Sequence, residues 1–177
     1  MRHPVRIANC SGFYGDRLSA AKEMVEGGPI DVLTGDWLAE LTMLILAKTQ
    51  AKNTEGGYAR TFVQQMQQVA FTCAEKGIKV VANAGGLNPK GCADAVQAIL
   101  DGQGIKASVA WIDGDDLMTR LPELKAIGNK FEHMDTGEAL GDQDMLTANA
   151  YLGGWGITEA LNRGADIVIT GRTTAAA

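Results

Sequence analysis

A short apolar run that empties into glycines constrains this chain more than any other feature. Ile78-Lys79-Val80-Val81-Ala82 is apolar and β-branched enough for a buried strand, and Asn83-Ala84-Gly85-Gly86 follows it as a turn. Asn88-Pro89 then reads as an N-cap with proline at the first helical position. Strand, glycine turn and helix in that order form the repeating unit of an α/β protein. In open parallel sheets, ligands collect at the carboxyl ends of the strands. Lys90 and the N–H groups of the turn would stand at such an end, where a helix N-terminus favours an anion.

The unit recurs. Val5–Ala8 alternates like a strand and leads into Asn9-Cys10-Ser11-Gly12-Phe13-Tyr14-Gly15-Asp16-Arg17, after which Leu18, Ala21 and Val25 keep helical spacing up to Gly27-Gly28-Pro29. A second strand, Ile30–Leu33, ends at Thr34-Gly35-Asp36, and Asp36 is placed to cap an apolar helix running through Lys48. After a polar loop to Gly57, Tyr58–Lys76 is amphipathic: Phe62, Met66, Val69 and Cys73 form its stripe and Gln64, Gln65, Gln67 and Gln68 a solvated face. Ala93, Val96, Ile99 and Leu100 mark a helix ending at Gly102, and Ala107–Ile112 reads as an interior parallel strand. Leu121, Leu124 and Ile127 suggest a short helix. Residues 129–142 hold no period and form a candidate lid or excursion. Leu146–Tyr151 and Ile157–Leu161 read as helical, and Asp166–Thr170 as the last strand, followed by Gly171-Arg172.

The fold class is therefore α/β, an open, mostly parallel Rossmann-like sheet with helices on both faces, in a single domain over residues 1–177. Ala175-Ala176-Ala177 stand where a helix is due, so the chain is expected to be the N-terminal part of a longer protein, with part of its sheet face left for another segment or chain.

Composition narrows the partners. A net charge of −5 argues against binding polyanions or membrane surfaces nonspecifically, and no apolar run is long enough to span a bilayer. With no basic-then-apolar leader pattern either, a cytoplasmic location is expected. Cys10, Cys73 and Cys92 show no CxxC spacing, and buried small hydrophobe is the better reading of Cys10 and Cys92 than nucleophile. The three tryptophans, Trp37, Trp111 and Trp155, read as packing. His133 reads as a surface-loop residue.

If the sheet is parallel, five loops meet at its carboxyl edge and bring together Asp16, Arg17, Asp36, Lys90, Asp113, Asp115, Asp116 and Arg172. Arg17 and Arg172 suit a carboxylate or phosphate, with Lys90 as a further positive charge beside Asn83, Gly85, Gly86 and Asn88. Asp113, Asp115 and Asp116 suit a magnesium-type site, with an ordinary turn and helix cap as the competing reading. Asp16 and Asp36 have the competing role of helix caps, and the arginines that of internal ion pairs. The glycine loops match neither GxGxxG nor GxxxxGK[ST].

Gly12-Phe13-Tyr14-Gly15-Asp16-Arg17, Asn83-Ala84-Gly85-Gly86-Leu87-Asn88-Pro89, Ala148-Asn149-Ala150-Tyr151-Leu152-Gly153 and Ala165-Asp166-Ile167-Val168-Ile169-Thr170-Gly171-Arg172, in that order, resemble the acyclic terpene utilisation family AtuA. The resemblance implies a longer protein and a place in citronellol and geraniol breakdown, a pathway that runs through acyl-CoA thioesters and a biotin-dependent geranoyl-CoA carboxylase. A candidate chemistry in that setting is hydration or rearrangement of an unsaturated acyl-CoA or related carboxylate, with Arg17, Lys90 and Arg172 holding the acid or phosphates and Asp16 or Asp113 (catalytic candidates) handling the proton. A noncatalytic subunit or binding module docking on an acyl-CoA carboxylase, or a homo-oligomer, is the rival expectation.

Overall fold

The computed structural model describes residues 3–141 and 144–174. The terminal alanines and Asp142, the last residue of the candidate lid, lie outside them. The apolar runs become β1 (Ile7–Asn9), β2 (Val32–Gly35), β3 (Lys79–Ala82), β4 (Val109–Ile112) and β5 (Ile167–Thr170). They form one sheet in the order β1-β2-β3-β5-β4, and each neighbouring pair is parallel. β5 lies inside the sheet and is buried along its whole length, which is why Ile167-Val168-Ile169 is continuously apolar rather than alternating.

Helices α1 (Ala20–Gly27), α2 (Glu40–Gln50), α3 (Arg60–Lys76) and α4 (Pro89–Gly102) complete the first three units, with two helices after β2. α3 packs on both α1 and α4. Between this helical layer and the sheet lies the core, where Leu33, Val80, Ala82, Ile167 and Ile169 meet Val25, Phe62, Met66, Val69, Val96 and Leu100. Burying side chains of the Val, Leu, Ile, Phe or Met type contributes roughly 1.5–3 kcal/mol each before entropy is subtracted. Local chemistry sets the ends of these helices. Gly77 adopts a left-handed φ of 66° and, with Ile78, returns N–H bonds to the last turn of α3. Asn88 accepts a bond from the Gly91 N–H at 2.8 Å, and Pro89 opens α4.

A 3-10 turn (Met118–Arg120) and α5 (Leu121–Ala126) follow β4, and α6 (Trp155–Asn162) returns the chain to β5. α6 covers the opposite sheet face at β4 and β5, where Gly156 sits against the Ile112 side chain. That face is open over β1, where Ile7 is 64% exposed.

Several expectations are corrected. Leu146–Tyr151 is not helical. Its backbone is used by other segments instead: Leu117 N–H donates to Ala148 O, Ala150 N–H to Asp115 O and Leu152 N–H to Arg172 O, laying the segment across the sheet's carboxyl edge. Asp36 does not cap α2, which starts at Glu40 after an extended Ala39; its carboxylate closes the local turn by accepting from Leu38 N–H. Gln65 is not part of a solvated face. It lies three residues from Phe62, inside the buried stripe, and its amide is directed at the carbonyls of Cys10 and Arg17. Of the tryptophans, only Trp37 is buried, edge-on to Phe62 at 5.1 Å, whereas Trp111 and Trp155 are exposed.

Candidate functional site

At the carboxyl ends of β1, β2, β3 and β5 the chain leaves a cleft of about 330 Å³. Polar groups from all four strand ends line it: Asn9, Thr34, Asp36, Asn83, Thr170 and Arg172. Leu38, Val81 and Ile157 supply apolar wall, and Tyr151 forms part of the lining from the extended segment. The floor is rigid for a simple reason. Asn83 Nδ2 donates to Asp36 Oδ1 at 2.6 Å while Asn83 Oδ1 accepts from Trp37 N–H at 2.8 Å, so one amide fixes the relative position of two strand ends. Thr34 Oγ1 donates to Val81 O across the same pair.

Arg172 dominates the electrostatics. Its residue is 8% exposed, and its guanidinium donates to Leu38 O at 2.5 Å, to Glu40 Oε1 at 2.9 Å and to the Tyr151 hydroxyl. The guanidinium also lies 4.3 Å from the centre of the Tyr151 ring, and Tyr151 in turn donates to Glu40. The hydrogen bond from Tyr151, with further contributions from its own backbone N–H and the Arg172 charge, holds the Glu40 carboxyl below its ordinary range. Glu40 itself is 80% exposed, so the buried cation has a partner that remains in water.

The backbone of Arg172 is fixed from behind by Asp115. This carboxylate accepts from Arg172 N–H at 2.8 Å and from Asn149 Nδ2 at 3.1 Å. It presses on Gly171 so closely that a Cβ there would run into the carboxylate. Burial pushes the Asp115 carboxyl up, against the opposing pull of those hydrogen bonds.

The structure brings only part of the sequence-predicted set together. Asn83, Asp36 and Arg172 line the cleft; Asp16, Arg17, Lys90, Asp113 and Asp116 do not. Arg17 pairs with Glu23 at 2.8 Å, and Asp16 accepts from Gly12 and Arg17 N–H, which together hold its carboxyl low. Lys90 pairs with Asp94 at 2.6 Å and lies 5.8 Å from the Trp111 ring centre, so an acid at the next turn relieves its unfavourable position at the helix start. The glycine turn is largely self-satisfied. Gly85 N–H donates to Thr170 O, Leu87 N–H to Gly57 O, Asn88 N–H to Gly85 O, and Gly91 N–H to the Asn88 side chain. Its glycines serve close packing: a Cβ on Gly85 would meet Thr170 O at 2.6 Å, and one on Gly86, whose φ is 55°, would meet Leu46 Cδ1 at 2.5 Å.

Asp113, Asp115 and Asp116 diverge. Asp115 points inward, Asp116 accepts from Met118 N–H as a turn cap, and Asp113 is exposed. Among the described residues no three His, Cys, Asp or Glu side chains group as a metal-ion site. The cysteines are buried, and burial pushes Cys10 up to about 12 and Cys73 to about 11, with Cys92 higher still. Such thiols are poor nucleophiles. His133 caps a local turn, its Nδ1 accepting from Asp135 and Thr136 N–H, and residues 129–141 contribute nothing to the cleft lining.

Sequence reasoning missed Glu40 and Tyr151 as bonding partners of Arg172, whereas Asn9, Thr34 and Thr170 begin three of the five strand-end loops expected at the cleft and do line it. Tyr151 had a signal, since it belongs to the Ala148–Gly153 motif, but a helical reading hid its direction. Glu40 and Arg172 are 132 positions apart, and nothing local links them.

No curated protein and no solved structure shows a significant match to the chain. The family model described as acyclic terpene utilisation family protein AtuA matches residues 5–177. The match includes every strand and helix described above, and the chain therefore belongs to the acyclic terpene utilisation family AtuA.

Proposed function

We propose that the protein serves acyclic terpene utilisation by binding a branched, unsaturated carboxylic acid or its CoA thioester in the strand-end cleft. Family membership supports the pathway. One observation carries the site: a guanidinium buried at the end of β5 opens onto a cleft that also offers apolar wall, with an exposed carboxylate as its countercharge. Asp36 and the Tyr151 hydroxyl are the groups in that cleft able to exchange a proton with a bound acid, whereas Asp16 and Asp113 stand outside it. Under this reading the compartment is the cytoplasm and the ligand is an anion.

Titration calorimetry with geranate, geranoyl-CoA and free CoA, each with and without magnesium, tests it. Saturable binding of geranate or geranoyl-CoA that is lost in Arg172→Met is the expected result. Binding that requires magnesium would return Asp113 and Asp116 to the site as ligands. Unchanged affinity in a folded Arg172→Met protein would contradict the reading.

A second reading has its own observation. Leu41 is 67% and Ile45 41% exposed on α2, and the sheet face over β1 is open. These surfaces fit a noncatalytic subunit that docks on an acyl-CoA carboxylase or on a second copy. Native cross-linking of the protein with geranoyl-CoA carboxylase tests this, and a monomer that captures no carboxylase contradicts it.

A further inference from the structure

We propose that Glu40 is a stand-in for the ligand's own carboxylate, so that the cleft selects a free acid over its thioester. The inference rests on the reading of the cleft as the ligand site. A guanidinium as buried as Arg172 requires a countercharge, and its anionic partner is Glu40. That partner is unusually easy to exchange. Its side chain is 80% exposed, and its position at the first residue of α2 leaves it a favourable resting place by the helix N-terminus. Glu40 Oε1 accepts from both Arg172 Nη2 and the Tyr151 hydroxyl. An incoming carboxylate can accept those same two hydrogen bonds while supplying the same charge.

A thioester carbonyl can accept a hydrogen bond but brings no charge, so displacing Glu40 with it would leave the guanidinium uncompensated. The rest of the lining points the same way. Among the described residues Arg172 is the one basic side chain in the lining, so the phosphates of a CoA moiety meet no second cation from them. Lys90 and Arg17 stand outside the lining, beside Asp94 and Glu23. The volume of about 330 Å³ lies at the lower end of small-molecule pockets, and Leu38, Val81 and Ile157 suit a short branched chain.

The experiment compares geranate, geranamide and geranoyl-CoA by titration calorimetry on the wild-type chain and on Glu40→Gln, Tyr151→Phe and Arg172→Met. Glu40→Gln removes the competing charge while keeping a side chain of the same size at an exposed position, and thermal melting verifies that the variant is folded before it is titrated. The expected result is that Glu40→Gln binds geranate at least about tenfold more tightly than wild type, while Arg172→Met loses it and geranamide gains nothing in any variant. Tyr151→Phe should weaken geranate binding by removing one of the two donors. If Glu40→Gln binds geranate no better than wild type, Glu40 is not a stand-in and this inference falls, while loss in Arg172→Met would keep the cleft as the site. Tighter binding of geranoyl-CoA than of geranate, abolished by Arg172→Met, would also overturn selection of the free acid and leave the cleft standing. Absence of binding by wild type and Glu40→Gln alike would overturn both.

Discussion

Two strand ends in this molecule look alike on paper and behave differently in space. The turn after β3, Asn83 to Gly91, has the glycines, the N-cap and the lysine expected of an anion cradle. The turn after β5 offers only Gly171-Arg172. In the folded chain much of the first turn's N–H complement is spent on Thr170, Gly57 and its own cap, and its lysine is paired with Asp94. The second keeps a buried guanidinium beside open volume, held there by Asp115 and balanced by a carboxylate in water. Glycine after a strand therefore reports close backbone approach first; whether it also reports a ligand depends on which donors remain after packing.

The sharpest way to break this comparison is to fill the first turn. Gly85→Ala puts a methyl group against Thr170 O and the Pro89 backbone, neither of which can swing aside, and should cost about 3 kcal/mol or more in chemical denaturation. A stable Gly85→Ala protein with reduced anion binding would mean that the turn is a cradle after all. Next in size is the effect on binding: Arg172→Met should weaken geranate affinity on the order of 100-fold.

A subtler probe concerns Asp115, which fixes the second turn. Its folded carboxyl is pushed above its ordinary range by burial, so the native state holds that proton more tightly than the unfolded chain. Its contribution to stability is greatest below the ordinary carboxylate range and declines as pH rises through that range to the raised value. Thermal melts of Asp115→Asn across this window should show a flatter profile than wild type. Asp31 has the opposite sign. Hydrogen bonds from Arg6, the side chain first, hold it at about 2, so its contribution is present above the ordinary carboxylate range and is lost as pH falls towards that value; Arg6→Ala should remove that acid-side loss. The smallest effect belongs to Lys90→Ala. Its ion pair is exposed on both sides, and the expected change in stability is below about 1 kcal/mol, with geranate affinity unaltered.

The strands were legible because their signals are local. Val80-Val81 and Ile167-Val168-Ile169 are apolar runs bounded by glycine, and Gly77 and Asn88-Pro89 mark helix ends through their own backbone chemistry. The carboxyl-edge cleft followed from parallel pairing, and Arg172 and Asn83 were found with it. What the sequence concealed depends on long-range contact. Leu146–Tyr151 has residues that suit a helix, yet its backbone pairs with Leu117 and Asp115, and the adjoining Leu152 pairs with Arg172. Gln65 is polar by type, but the carbonyls of Cys10 and Arg17 receive its amide in the core. Glu40 carries no mark of its role until the fold brings it to Arg172.

Amide chemical-shift mapping of the chain during titration with geranate distinguishes the two strand ends as the binding place. With the acid bound at the end of β5, the resonances of Thr34, Asp36, Asn83, Tyr151 and Arg172 should move together and saturate, while those of Arg17, Lys90 and Gly91 stay in place. Saturable shifts centred on Lys90 and Gly91, with Arg172 and Tyr151 unmoved, would contradict it and restore the glycine turn as the site.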